Sequence, residues 1–389
     1  METKEHLWWR FIKWTFAVLW SPAKTFNEIV KSPSVKGPLL IFLVAIPITL
    51  GVQHLNGSRL FLEQPTPDYD LWTESLLNQT SPAWLSNGVV GFDESDKISG
   101  NYSVYTSSEN DSIIWLNLNG IEHLNFSKQE ENRLSFNLKW LHETGENPTA
   151  ALLQLFSHSE ESHRYELDLE PYLLNESNIW LNLTGLNALV LCNDDWITPE
   201  NSPSWDSITG VGFRLSWSHP ANLTLKVDGL YFGRFSSALS HSSLEIRMQT
   251  LWVTSLDFLL KWLILATIAS VAMQVFSGWK GSWRSLLYTV GYIYSPYIIY
   301  LLVLSVLFLL LPPIFLPYRY TYDEYLSITQ VWSLPVSILN FITNIVWTTV
   351  LCTIALKKID GVSWTRAFFI AFGAVVMSFL LASILLSVL

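Results

Sequence analysis

Cysteine is almost missing from this chain: two thiols in 389 residues, Cys192 in a polar stretch and Cys352 in an apolar one. That scarcity excludes the multi-disulfide framework on which small secreted domains depend. The contrast in surroundings also argues against a bond between the two. Basic charge is short as well. Lys and Arg number 23 against 33 Asp and Glu, a formal net charge of −10, which argues against nucleic acid as a partner. Catalytic motifs are missing too. There is no Gly-rich phosphate loop, no His-Glu-x-x-His pair and no nucleophile elbow, since Gly100-Asn101-Tyr102-Ser103 does not fit the elbow's pattern. His158 and His163 stand near Glu160 and Glu161, but in a polar loop that reads as solvated rather than metal-binding. The expectation is a protein that is not an enzyme.

Hydrophobicity, by contrast, is abundant and unevenly spread. Crossing a membrane takes about 20 apolar residues. Candidate segments are Pro38 to Val52, which is short and contains Pro47, then Leu251 to Phe276, Leu286 to Leu311, Val331 to Leu356 and Phe368 to Leu389. Between the first and second lies a polar, acidic block. All eight Asn-x-Ser/Thr sequons fall inside it, at Asn56, Asn78, Asn101, Asn110, Asn125, Asn175, Asn182 and Asn222. Sequons matter only where a glycosylating machinery reaches the chain, so the block reads as external. Glycosylation signals without disulfides point to an archaeal cell surface. The expected division is 1–36 as inner-face interfacial helices, 37–54 as a first transmembrane helix, 55–247 as an external β-sandwich, and 248–389 as four further transmembrane helices.

Lys and Arg placement gives the orientation. Lys4, Arg10, Lys13, Lys24, Lys31 and Lys36 precede the first span. Lys280 and Arg284 lie between the second and third, and Lys357, Lys358 and Arg366 between the fourth and fifth. Five crossings then give a multi-pass cell-membrane protein with a cytoplasmic N-terminus. The block, the Tyr-rich loop Pro317 to Gln330 and the C-terminus lie outside. The lipid bilayer is one partner. In His6 to Trp20, basic residues interleave with Trp, Phe and Leu as in a helix lying among headgroups. Ser21-Pro22 starts a second short helix.

The polar block alternates with period two. Leu134, Phe136, Leu138 and Trp140 alternate with Arg133, Ser135, Asn137 and Lys139, and similar runs cover Arg164 to Leu169, Ile179 to Thr184 and Val211 to Trp217. Such strands bury one face and leave the other to solvent, and several of them in about 190 residues predict an antiparallel sandwich. Trp180, Trp196, Trp205 and Trp217 are candidate stacking platforms or core residues. Asn193-Asp194-Asp195 offers oxygen ligands for a structural calcium ion, but reads first as a solvated turn.

Two resemblances add to this. Trp205-Asp206-Ser207-Ile208-Thr209-Gly210-Val211-Gly212-Phe213, followed by Val227-Asp228-Gly229-Leu230-Tyr231-Phe232, is similar to galactose-binding-like jelly-roll modules. That implies a jelly-roll fold related to carbohydrate-binding domains. The order Ser21-Pro22-Ala23-Lys24-Thr25-Phe26, then Gly291-Tyr292-Ile293-Tyr294-Ser295-Pro296, then Lys357-Lys358-Ile359-Asp360-Gly361 resembles the Yip-one domain family of membrane proteins. Gly291, Tyr292 and Pro296 match its motif, and the family implies no catalytic residues. In the fourth span Asn340, Asn344, Thr348 and Cys352 recur every fourth position, as either a polar helix-packing seam or the lining of a path; with no acid or base among them, the seam is the favoured reading. Ala371, Ala374 and Ser378 give the fifth span a small-residue seam. The expected function is a Yip-like membrane-organising domain that displays a glycan- or polymer-binding adhesion module, with surface glycan or another membrane protein as partner. The alternatives are a transporter with an external accessory domain and a surface glycan-active enzyme.

Overall fold

The computed structural model describes residues 4–68, 70–74, 83–127, 132–157, 163–173, 177–198, 202–241 and 244–388. The chain divides into two compact units, one of Met1–Leu60, Ser237–Ile314 and Leu326–Leu389, the other of Phe61–Ser236 and Phe315–Tyr325. The second unit thus recruits a piece of the Tyr-rich loop that the sequence division had left with the membrane helices.

The first unit is helical. In chain order the helices of the whole chain are α1 (Lys4–Trp20), α2 (Pro22–Lys31), α3 (Lys36–Arg59), one-turn α4 (Leu71–Glu74), which belongs to the second unit, one-turn α5 (Ala238–His241), α6 (Leu244–Ser277), α7 (Trp283–Gly291), α8 (Ser295–Leu310), α9 (Tyr322–Phe341), α10 (Thr348–Asp360) and α11 (Trp364–Val388). Among the described residues five helical stretches are long and apolar enough to cross a membrane: Lys36–Arg59, Leu251–Ser277, Trp283–Leu310, Tyr322–Asp360 and Trp364–Ser387. The first is longer than its apolar run, because helical hydrogen bonding continues through the polar residues from Gln53 to Arg59. Asn56 therefore sits in a helix and not in the β-unit.

Helix α1 has two apolar faces. Phe11, Trp14 and Val18 are buried with Phe26 and Ile29 of α2, and the Trp14 indole donates to Glu28 at 3.0 Å. Trp9, Phe16 and Trp20 remain exposed. The Gly291 to Pro296 motif breaks the third span. Helix α7 ends at Gly291, a tight turn covers Tyr292–Tyr294, and α8 restarts with Pro296 in its first turn, where a missing N–H costs nothing. A Cβ on Gly291 would come within 2.4 Å of Pro38 Cγ and 2.9 Å of the Trp262 ring, so only glycine lets α3 and α6 approach there. Tyr292 is fully buried against Trp14, its ring edge-on at 6.2 Å.

The proposed seams divide. Ala371, Ala374 and Ser378 are all buried. In the fourth span Thr348 and Cys352 are buried, but Asn340 is exposed and Asn344 half-buried. The reason is a π-helical turn over Ile342–Trp347. The extra residue shifts the phase of the helix, so Asn340 and Asn344 no longer share a face with Thr348 and Cys352. Asn344 instead donates to Asn340 along the same helix.

The second unit is an antiparallel sheet folded over on itself into two layers. Its strands are β1 (Leu60–Thr66), β2 (Ala83–Ser86), β3 (Val89–Asp93), β4 (Ser103–Leu124), β5 (Arg133–His142), β6 (Ala150–Ser157), β7 (Arg164–Asp168), β8 (Leu181–Leu183), β9 (Leu189–Val190), β10 (Ile208–Ser237) and β11 (Ile314–Leu316). Long β4 and β10 pair along most of their length, with register shifts between Ser216 and Leu223. Before the shift β10 also pairs with β6, as Phe213 with Leu153; after it β10 pairs with β5, as Leu225 with Trp140. The two layers face each other through Phe136 and Phe213, whose rings meet edge-on at 5.0 Å. Leu116, Leu134, Leu138, Leu153, Val211 and Leu225 fill the same core. The transfer of this apolar area from water is the main force holding the layers together. Both cysteines are free thiols, so no disulfide contributes.

Candidate functional site

The expectation of one solvent-facing side fails at β5, and that failure locates the site. Ser135, Asn137 and Lys139, on the polar side of the strand, are buried like the apolar side, at 0%, 1% and 8% exposure. Buried polar groups must be hydrogen-bonded or costly. What covers them comes from three distant parts of the sequence: the 93–100 turn, Trp180, and the 318–324 segment.

At one end, charge is neutralised locally. Lys226 of β10 binds Asp93 at 2.6 Å and Asp96 at 2.7 Å, and Lys139 binds Asp96 at 2.9 Å. The Trp180 indole donates to Asp96 at 3.1 Å. The Lys226 ammonium holds the Asp93 carboxyl well below the usual carboxylate range, helped by Ser95. Burial pushes Asp96 up, but the bonds from Lys226, Lys139 and Trp180 outweigh it and leave that carboxyl low. These acids are therefore spent on lysines.

Further along, Asp228 of β10 is fully buried and accepts the backbone N–H groups of Ile98 and Ser99. The Ser99 hydroxyl donates to Asp70, also buried, at 2.5 Å. Burial pushes Asp228 up to about 6, against its two backbone donors, and the neighbouring Asp70 adds to the rise. Two carboxylates at 0% and 1% exposure, bridged by one serine, pin the 98–100 turn to the sheet. Neither can reach a substrate in the way a glycosidase pair must.

Beyond this pair lies open space. Asn182, Thr184 and Arg319 line two adjoining clefts of about 430 and 460 Å3. The first continues to Ser99, Gly100 and Asn137, the second to Asn187, Tyr318, Tyr320 and Glu324. Asn137 donates weakly to the Asp228 carbonyl at 3.4 Å, and its own Oδ1 is buried with no partner among the described residues.

Local chemistry fixes each wall. Tyr318 N–H donates to Glu63 at 2.7 Å and its ring meets Tyr231 edge-on at 5.7 Å. Thr321 and Glu324 form a reciprocal capping box at the start of α9, with Thr321 N–H donating to Glu324 at 2.6 Å and Glu324 N–H to Thr321 Oγ1 at 3.2 Å. Gly185 has φ +59°, and a Cβ there would lie 2.8 Å from the Arg319 carbonyl; glycine is needed on both counts. Arg133 holds that turn by donating to the Gly185 carbonyl at 2.8 Å. Tyr318 and Tyr320 are 39% and 45% exposed, and Tyr320 stacks on Tyr325 with ring centres 5.9 Å apart.

The tryptophans do not supply the platform. Trp196 and Trp217 are buried. Trp205 stacks on Tyr165 at 4.0 Å and is half-buried, and Trp180 is engaged with Asp96 and Lys139. Tyr318, Arg319, Tyr320 and Glu324 were missed as site residues because only the tertiary fold brings them to β8. Their one sequence signal was the run of tyrosines. The calcium candidate is a turn: Asn193, Asp194 and Asp195 are all exposed, and Asn193 donates to Asp195 at 2.7 Å. Among the described residues no three His, Cys, Asp or Glu side chains converge on a metal position. Of the sequons, Asn56, Asn101, Asn110, Asn125, Asn182 and Asn222 are exposed. Asn78 and Asn175, with His158, Glu160 and Glu161, lie outside the described residues.

No family model matches the chain, and no curated protein sequence matches it. Among solved structures, one match is the family 30 carbohydrate-binding module of a cellulosomal cellulase of Clostridium thermocellum, at 12% identity and TM-score 0.29 over 38% of this chain and 90% of that one. The family 11 carbohydrate-binding module from the same organism, in complex with a mixed-linked tetrasaccharide, matches at 9% identity and TM-score 0.28 over 44% and 94%. An exo-beta-agarase matches at 12% and 0.28, over 42% of this chain and 24% of its own. Likeness at this level says nothing of what this chain binds.

Proposed function

We propose that the chain is a non-enzymatic membrane protein whose β-unit binds a surface glycan or similar hydroxyl-rich polymer. The helical unit, read as a Yip-like membrane domain, anchors and organises it. The observation that carries this reading is the cleft at Asn182, Thr184 and Arg319, flanked by exposed Tyr318 and Tyr320. Amides, hydroxyls and a guanidinium offer donors and acceptors in planar, directional sets that suit sugar hydroxyls. Tyrosine faces offer flat apolar surface for the C–H side of a sugar ring, with a polar tip that stays wet. Phe61–Ser236 and Phe315–Tyr325 belong to one unit. That supports placing the first and third inter-span connections on one side of the membrane, as the Lys/Arg distribution also does. Five exposed sequons in the β-unit, with exposed Asn56 just before it, support that side being the outer one. A glycan array probed with the full-length protein in nanodiscs tests the reading. Binding to a saccharide class is expected; a folded protein that binds no saccharide or envelope polymer above background would remove the binding role.

A further inference from the structure

The helical unit carries a groove that the glycan reading does not use. It runs between α6 and α11 with a volume of about 640 Å3, within the ~300–1,000 Å3 range of sites that hold organic ligands. Ile268 and Phe276 form one wall, Phe369, Gly373 and Met377 the other. Phe276 and Phe369 are two-thirds exposed. A Cβ on Gly373 would meet nothing within 4 Å. No neighbour demands a glycine at that position; its missing side chain simply keeps the groove open.

One end is not apolar. Arg366 lines it and is exposed. Its hydrogen bond runs from its backbone N–H to Ser363 Oγ at 3.4 Å, and among the described residues its guanidinium pairs with no carboxylate. The Ser277 hydroxyl donates to Asp360 at 2.7 Å, which brings the α6–α7 and α10–α11 connections together at this end. Those connections hold Lys280, Arg284, Lys357 and Lys358 besides Arg366, against Asp360 as the one acid.

We infer that this groove holds a hydrocarbon chain of an anionic phospholipid, with its headgroup phosphate on Arg366. An apolar trough ending in an unpaired guanidinium on a basic rim matches the two halves of such a lipid. A free anion would leave the trough unfilled. A second copy of the chain would set one basic rim against another. This assignment is independent of what the β-unit binds.

Native mass spectrometry of the delipidated full-length protein in detergent tests it, with dioleoyl phosphatidylglycerol and dioleoyl phosphatidylcholine titrated separately. Phosphatidylglycerol should bind about fivefold more tightly or better, the preference that one basic contact with net anionic charge supplies. Arg366→Glu should abolish the preference and Arg366→Lys should keep most of it. Gly373→Leu should fill the groove and remove both lipids while helix content stays, since leucine favours helix over glycine. Millimolar inorganic phosphate should displace nothing. Equal binding of the two lipids by the wild type would overturn the assignment. So would Gly373→Leu with unchanged adducts, displacement by phosphate, or a dimer in place of a lipid adduct that Gly373→Leu dissociates.

Discussion

Raising the pH from mildly acidic to neutral should weaken the β-unit, with Asp228 as the main cause. Its side chain is fully buried. Burial lifts its carboxyl to about 6 despite the Ser99 and Ile98 donors, whereas an unfolded Asp titrates near ~3.9. Between these values the folded chain keeps a proton that the unfolded chain has released. The stability this confers is fully present below the unfolded value and is lost as pH rises through the folded one. Near pH 5 the slope is about −1 kcal/mol per pH unit, and the loss from about pH 4.5 to pH 7 is about 2 kcal/mol. Glu63 acts in the same direction, because burial raises it too, against the Tyr318 N–H and Arg133. Asp93 and Asp96 act oppositely, since both are held low. Their contribution is present above the unfolded value and is lost only in stronger acid, so it hardly changes over this interval. The assay is urea unfolding across pH of a soluble protein in which residues 61–236 are joined by a flexible linker to 315–325. Asp228→Asn should flatten the slope whatever it does to the absolute stability. Stability that rises over the interval, or a full slope surviving in the Asn variant, would refute the linkage.

In the same soluble unit Phe136→Ala should cost about 3–5 kcal/mol, because it empties a fully buried position against Phe213. Asn137→Ala should cost under about 1 kcal/mol despite its burial, because the bond it removes is long and its Oδ1 has no partner among the described residues. In the helical unit Gly291→Val should sharply reduce the yield of monodisperse protein in detergent, since a Cβ there would strike Pro38 and Trp262; Gly373→Ala is the matched control and should not. In a Cys-free background on intact cells, an impermeant thiol reagent should label Lys97→Cys and Tyr320→Cys but not Gly281→Cys. Labelling at 281 alone would invert the proposed topology.

What was legible in the sequence was local. The alternation of Leu134, Phe136, Leu138 and Trp140 marked the core side of β5, and hydropathy found the five candidate spans. What depended on distant residues was not legible. Ser135, Asn137 and Lys139 looked solvent-facing until the 93–100 turn, Trp180 and the 318–324 segment closed over them. Nothing local in Tyr318, Arg319 or Tyr320 says that β8 is their neighbour. The Asn340 to Cys352 pattern assumed a uniform helical phase, and one π-helical turn undid it. The first span was drawn short because its helix runs on into polar residues that hydropathy discounts.

Calorimetric titration of the full-length protein in nanodiscs with a saccharide from the array tests the account most directly, comparing wild type with Tyr320→Ala and Arg319→Ala. Tyr320 is exposed and Arg319 lines both clefts, so neither change should unfold the β-unit. The account predicts millimolar to micromolar binding by the wild type, on the order of 4–8 kcal/mol, and at least a roughly fivefold loss in each variant, the equivalent of about 1 kcal/mol for one stacking or charge-assisted contact. Wild-type affinity retained in both variants would place the ligand elsewhere and contradict the assignment of the cleft.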